Sequence, residues 1–302
     1  MGSMDAFIPS WLETFDWVIA LVCFLGATLL GLVLGSFSSV VIYRLPKMME
    51  AAWLLEQAQI TSSDAVEVAR SEARYDLFLP GSSCVHCASR IPWCYNVPLL
   101  GYFLLKGRCK ECGASIDARY WWLELLGAFL SLALMLRFGP GWLWVLSMVL
   151  SFGLLILAFI DFDHQILPDQ LTLPLLWLGL LLSVFDIFVD SETSILGAVL
   201  GYGFLWCVHQ IFYWLTGREG MGRGDFKLLA LLGAWLGWGQ LPFVMFLSSV
   251  LGALSGLVLI FSGRRKRTDA IPYGPFLAFS GWMALMLGDV WGMGSLSLLG
   301  LG

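Results

Sequence analysis

Two aspartates sit where a carboxylate is costly. Asp161 ends an apolar run over residues 142–160, and Asp225 closes a Gly222-Arg223-Gly224-Asp225 junction between apolar runs at 197–215 and 226–236. An ionisable group at a membrane boundary is expensive and marks a functional site. Two carboxylates brought close cannot both ionise cheaply, so one keeps a proton while the other activates water. The protonated partner then polarises a scissile carbonyl, which is general acid–base peptide hydrolysis without a metal. Gly222 and Gly224 remove side chains, so a backbone or a substrate can approach closely. This pattern predicts a paired-aspartate hydrolase. The stretch after Asp161 also holds Asp163, His164 and Asp169, which leaves the choice of catalytic group open. Asp161 is nearest the apolar run and hence the most desolvated. Asp163 and Asp169 read as solvated loop carboxylates, with Asp169 capping the next helix, and His164 as a loop hydrogen-bonding residue. No HExxH, GxSxG or histidine-supported serine is present.

A second constellation is Cys84-x-x-Cys87 with Cys109-x-x-Cys112, two pairs separated by 21 residues. Two such knuckles can supply a tetrahedral four-thiolate zinc site, and Gly113 after the second pair allows the tight turn a knuckle needs. On a reducing cytoplasmic face disulfides are disfavoured; the competing reading is two redox or unmetallated pairs. A closed four-thiolate site has no open position, so this metal is expected to be structural. Cys94 is surplus, Cys23 and Cys207 read as packing residues within spans, and His86 and His209 carry no pattern.

The elements that must position these groups are membrane helices. The 302 residues are 59% hydrophobic and 13% charged, with apolar stretches near the length that crosses a ~30 Å hydrocarbon core. The fold class expected is an all-α polytopic integral membrane protein of about eight transmembrane helices with a cytoplasmic zinc-knuckle loop. The spans fall near 17–43, 121–136, 141–160, 170–189, 195–215, 226–239, 241–262 and 275–292. The sixth is short, interrupted by Gly233 and Gly237, and is expected to tilt or only partly cross. Gly31 and Gly35 form a GxxxG pair that reads as general helix packing rather than a dimer face. Arg44-Leu45-Pro46-Lys47 is expected to stop the first helix, and residues 47–74 hold good helix formers with no Gly or Pro, Met48, Met49 and Trp53–Leu55 lying on the membrane surface. No internal repeat is evident. Met1-Gly2-Ser3 reads as a cloning remnant and no cleavable signal peptide is expected.

Charge orients the chain. Of 17 Lys and Arg residues, nine lie in 44–119, three in 218–227 and four in 264–267, leaving Arg137 on the other side with Asp186, Asp190, Glu192 and Asp289. The positive-inside rule places the long loop, Asp161 and Asp225 in the cytoplasm. Two crossings separate the two aspartates, so both face the same water. No basic tract forms a nucleic-acid groove. The domains expected are a remnant and non-cytoplasmic lead at 1–16, a first transmembrane helix at 17–43, a cytoplasmic four-cysteine region at 44–120, and a seven-helix membrane domain at 121–302.

Together these stretches resemble the type IV prepilin peptidases, GxGD membrane aspartic peptidases that also N-methylate pilins. The matching residues are Gly35-Ser36-Phe37, Tyr43-Arg44-Leu45-Pro46, the four cysteines, Pro92-Trp93, Asn96-Val97-Pro98, Asp161 through Asp169, Gly220 through Lys227, and Pro272-Tyr273-Gly274-Pro275. Ser38-Ser39 and Cys94-Tyr95 depart from the usual pattern. The resemblance implies that Asp161 and Asp225 are catalytic, with Gly222, Gly224 and Lys227 supporting the active-site loop. It implies cleavage of a basic leader from prepilins or pseudopilins at the cytoplasmic face of a bacterial inner membrane. Methylation would follow with S-adenosylmethionine, a role tied to the cysteine-bearing region; no glycine-rich cofactor loop is present, so the methyl donor rests on resemblance alone. Alternatives are a leader peptidase without methylation, with the knuckle as scaffold or substrate guide, a transporter using the boundary aspartates, and a secretion-assembly scaffold. Lipid is a further expected partner, and the oligomeric state is left open.

Overall fold

The structure, a computed structural model, describes residues 17–61, 76–77, 79, 81–218, 220–262 and 272–298. The acidic lead before Trp17, residues 62–74 of the long polar loop and the basic run 264–267 lie outside the described residues. Among the described residues there is no β-strand, only two isolated bridges. The helices are α1 (Trp17–Thr61), α2 (Leu100–Leu104), α3 (Ala118–Phe138), α4 (Trp142–His164), α5 (Asp169–Ser183), α6 (Ser191–Thr216), α7 (Arg223–Leu236), α8 (Leu241–Phe261) and α9 (Gly274–Leu298). Each of the eight expected spans falls on a helix. Five of those helices (α1, α3, α4, α6 and α8 with its lead-in turn) are long and apolar enough to cross a bilayer, and α5 and the 274–288 part of α9 are shorter apolar helices. The chain is an all-α, multi-pass membrane protein.

The chain divides into two compact units, with the boundary inside α4 between Phe152 and Gly153. In unit one, α1 does not stop at Pro46 but runs on to Thr61. Proline removes one backbone donor and disfavours helix in the residue before it, yet a helix can absorb one such loss. Residues 47–61 contain no Gly or Pro and are mostly good helix formers, so the helix continues past the proline. At 45 residues α1 is about 68 Å long, far beyond a ~30 Å core. Exposed Trp53 and Leu54 ride on that extension. The Gly31 and Gly35 pair packs α1 on α3: a Cβ on Gly31 would meet the Gly127 carbonyl oxygen at 2.5 Å, and one on Gly35 the Leu123 carbonyl oxygen at 2.6 Å. Ser131 Oγ donates to the Ala27 carbonyl across the same seam at 2.7 Å. The glycine pair therefore serves packing within the chain, as its spacing suggests.

In unit two, α7 is the central helix. From Asp225 to Trp235 nearly every residue is buried, with α5, α6, α8 and α9 around it. Its 14 residues reach about 21 Å, shorter than the hydrocarbon core. Gly233 does not interrupt it: Gly233 and Gly197 of α6 face one another so closely that a Cβ on either would collide with the other's carbonyl. Only at Gly237, with φ 79°, does α7 end. Trp235 Nε1 donates to the Leu175 carbonyl at 2.8 Å and Ser194 Oγ to the Ala234 carbonyl at 2.6 Å, fixing α5 and α6 on α7. A polar group in an apolar bundle left without such a partner costs about 1–3 kcal/mol.

Candidate functional site

At one end of unit two the C-terminus of α4 and the N-termini of α5, α7 and α9 converge. Asp161 lies in the last turn of α4 and Asp225 in the first turn of α7; each is only 6% exposed. The two carboxylates are near enough to repel one another electrostatically. Asp161 Oδ2 accepts a 2.9 Å hydrogen bond from the backbone N–H of Gly274, the first residue of α9. That N–H is one of the unpaired donors every helix start carries, so it is available to a carboxylate. A Cβ at position 274 would lie 2.6 Å from Asp161 Oδ2, so only glycine allows this approach. Among the described residues no donor reaches the Asp225 carboxylate, whose electrostatic neighbour is Asp161.

The two junction glycines serve different ends. Gly222 is the N-cap of α7, and a Cβ there would make only ordinary contact, 3.7 Å from Asp225 Oδ2. At Gly224 a Cβ would fall 2.8 Å from the Leu167 Cβ, so this glycine seats α7 against the turn that follows α4. The close approach is thus made by a side chain of the same unit. That turn opens with Gln165 at φ 54°, whose N–H bonds the Asp161 carbonyl at 2.9 Å. A non-glycine residue in the left-handed region is uncommon and strained.

The other titratable groups of the stretch separate from the pair. Asp163 and His164 are exposed and still helical, so they are not loop residues. Asp169 does not cap α5: the N-cap is Pro168, which makes no side-chain cap, and Asp169 is the first helical residue. Instead Lys227 Nζ holds both Asp169 oxygens, at 2.7 and 2.8 Å, an exposed fork that ties α7 to α5. One contributor was not singled out from sequence: Gly274, whose only signal was its place between Tyr273 and Pro275. In unit one Glu124, a charge inside α3 signalled by its position within an apolar span, accepts the Leu99 N–H at 2.7 Å.

In unit one the four cysteines form a cluster with all ligand atoms within 4.8 Å of one another. A tetrahedron with metal–sulfur bonds of about 2.3 Å has edges of about 3.8 Å. The cross-knuckle pairs Cys84–Cys112 and Cys87–Cys109 stand at 3.8 and 3.9 Å. All seven cysteines are free thiols, so the cluster fits a four-thiolate metal such as zinc. The knuckles repeat each other, which the sequence did not disclose. The Cys84 and Cys109 N–H groups bond Ser89 and Ala114, Ile91 and Ile116 bond Ser82 and Gly107, and bridges join Ser83 to Arg90 and Arg108 to Ser115. The turn residue is Gly113 at φ 70° in one and Ala88 at φ 55° in the other. Backbone N–H groups of Cys112 and Glu111 pull the Cys109 thiol down to about 6. The Ser89 hydroxyl and N–H lower that of Cys87. Both effects favour the thiolate, the form that binds metal. Against the pull of the Ala114 N–H, burial and the neighbouring thiols push Cys112 up to about 12, so the four do not ionise alike. Cys94 is exposed outside the cluster, and Cys207 is exposed on α6 rather than packed within the chain.

Comparison with known proteins accounts for both units. Residues 148–257 match the type IV leader peptidase family, and residues 29–138 the bacterial peptidase A24 N-terminal domain. A protein of Aeromonas salmonicida named prepilin leader peptidase/N-methyltransferase is 48% identical over 261 residues, covering 86% of this chain and 89% of that one. Proteins of the same name from Stutzerimonas stutzeri and Pseudomonas aeruginosa are each 46% identical, over 265 and 262 residues, covering 88% and 86% of this chain and 91% and 89% of theirs. No solved structure matches. With nearly the full length shared at close to half identity, this chain belongs to the type IV leader peptidase family.

Proposed function

We propose that this protein removes the leader from type IV prepilins or pseudopilins and N-methylates the new N-terminal residue, with Asp161 and Asp225 as the catalytic pair. The observation that carries the peptidase half is the meeting of two buried carboxylates at one end of unit two. In a poorly solvated site the pair shares one proton. The ionised member takes a proton from water as its oxygen adds to the scissile carbonyl carbon, and the protonated member hydrogen-bonds the carbonyl oxygen. When the C–N bond breaks, the leaving amine takes up a proton. Each such transfer contributes about 10²–10⁴-fold. Gly222 as the N-cap, Gly224 packed on Leu167 and Lys227 paired with Asp169 support the first turn of α7, a helix start rather than the expected loop, which carries Asp225.

The methyltransferase half is supported by the names of the relatives and by the matched N-terminal domain. S-adenosylmethionine, when bound, supplies an electrophilic methyl group; no residues of this chain are assigned to it. The region 44–120 would hold one structural zinc on Cys84, Cys87, Cys109 and Cys112, between a first membrane helix at 17–43 and a peptidase domain at 121–302. With 16 of 17 basic residues on one side, that region and both aspartates face the cytoplasm of a bacterial inner membrane. A basic prepilin leader in the cytoplasm, followed by a helix in the bilayer, presents its cleavage point at that boundary.

The test uses purified protein in lipid vesicles, a prepilin peptide and labelled S-adenosylmethionine, with cleavage and methyl transfer followed separately. Asp161→Asn and Asp225→Asn should each lose at least about 10²-fold in cleavage while remaining folded. Normal cleavage by either variant would remove that residue from the pair. Cleavage without methylation by the native chain would leave a peptidase alone.

A further inference from the structure

We infer that Tyr273, Ser248 and Gly274 form a clamp that positions Asp161, committing its Oδ2 to a backbone donor and leaving Oδ1 to face water. The inference rests on Asp161 being a catalytic carboxylate. Its first observation is the Gly274 N–H, 2.9 Å from Asp161 Oδ2 in a buried contact between residues 113 apart in sequence. Its second is how that N–H is held. Tyr273 begins the first turn of α9, its carbonyl accepting from the N–H groups of Phe276 and Leu277 at 3.1 and 3.2 Å. Its hydroxyl lies 2.7 Å from Ser248 Oγ and 3.4 Å from Ser249 Oγ, both on α8. Ser248 is fully buried and its own proton goes to the Met245 carbonyl at 3.1 Å. Its oxygen is therefore free to accept, and Tyr273 donates.

The clamp thus runs from α8 through the Tyr273 side chain to the start of α9 and from there to the end of α4. The Tyr273 ring also lies over Gly252, where a Cβ would be 3.9 Å away, so the ring rests on the helix surface. Among the described residues no comparable donor reaches Asp225. The asymmetry gives the two aspartates different roles: an N–H hydrogen bond favours the ionised form of the carboxylate that accepts it, so the hydrogen-bonded Asp161 is the member set to activate water. Asp225 is set to hold the shared proton against the carbonyl. Tyr273, Ser248 and Gly274 are positioning residues, since none need touch the substrate.

The experiment measures kcat and KM for prepilin peptide cleavage by full-length Tyr273→Phe, Ser248→Ala, the double variant, Ser248→Thr and Gly274→Ala in vesicles, with Asp161→Asn alongside. Displacement of a reacting group by about 1 Å can cost about 10²-fold. Tyr273→Phe and Ser248→Ala should each lower kcat roughly tenfold with KM unchanged. Because the two groups share one bond, the double variant should fall no further. Ser248→Thr keeps the acceptor and should restore the rate. Gly274→Ala, whose Cβ would meet Oδ2 at 2.6 Å, should lose about 10²-fold or more. Additive losses, an equal change in KM, or native kcat in Tyr273→Phe and Ser248→Ala with Asp161→Asn inactive, would each overturn the clamp while leaving the pair standing. Normal cleavage by Asp161→Asn would overturn the pair itself, and the clamp with it.

Discussion

Replacing Cys109 by serine should break a metal site whose geometry is already set. The cross-knuckle sulfur pairs stand at 3.8 and 3.9 Å, against about 3.8 Å for the edge of a zinc tetrathiolate. Apart from a bound metal, little among the described residues would hold the knuckles: two isolated bridges, a few backbone bonds, and apolar side chains such as Val85 that are exposed. Structural zinc in small knuckles contributes about 10–16 kcal/mol. One ligand of four therefore carries roughly 2.5–4 kcal/mol, or about a hundredfold to a thousandfold in affinity. The assay is zinc content of the full-length protein in detergent, followed by competition with a chromophoric chelator. The native chain and Cys94→Ser should hold one zinc each with the same affinity, because Cys94 lies outside the cluster. Cys109→Ser should release its zinc at a chelator concentration lower by the stated factor. A native protein that binds no stoichiometric metal, or a Cys109→Ser protein that binds it equally well, would refute the reasoning.

Three further outcomes follow from single contacts. Gly224→Ala should lower the melting temperature and slow cleavage, because its Cβ would fall 2.8 Å from that of Leu167, and adding Leu167→Ala, which keeps that Cβ, should restore neither. Lys227→Met and Asp169→Asn should each cost under about 1 kcal/mol in denaturant melts, since the pair is 31% and 52% exposed. Asp169→Asn should still cleave prepilin, in contrast to Asp161→Asn. Ala88→Gly should slow zinc release to a chelator and Gly113→Ala should hasten it, because both positions hold left-handed backbone that costs a side chain about 1–2 kcal/mol.

What could be read from the sequence divides along physical lines. Membrane helices were legible because a bilayer forces long uninterrupted apolar runs, so spans could be counted and Asp161 and Asp225 brought to one end by parity alone. The cysteines were legible because metal ligation requires fixed spacing. The course of α1 through Pro46 was not, because a proline's cost is local and visible in the sequence, whereas whether the helix formers beyond it continue the same helix or start a new one is not. The role of α7 was hidden for a related reason: Gly233 looks like a breaker in one dimension and is a close contact with Gly197 in three. The knuckle repeat escaped notice because backbone turns carry it, and beyond the paired cysteines little but Ile91 and Ile116 agrees in type.

The least legible contribution is the backbone amide of Gly274, since a main-chain donor has no residue type to betray it. Its presence nevertheless follows from the architecture. A carboxylate at the end of a membrane helix has lost water on most sides and must find donors nearby. The start of another helix is the one element that always carries unpaired N–H groups. In unit two the end of α4 meets the starts of α5, α7 and α9, so every carboxylate placed there lies among positive helix ends. A glycine at position 274 lets one of those ends approach Asp161 to hydrogen-bond distance. Moving the same carboxylate one turn back into α4 would surround it with buried apolar neighbours such as Leu157 and remove it from that donor. The position of the pair at helix ends, rather than at mid-membrane, is thus what lets two desolvated aspartates remain both buried and unequal.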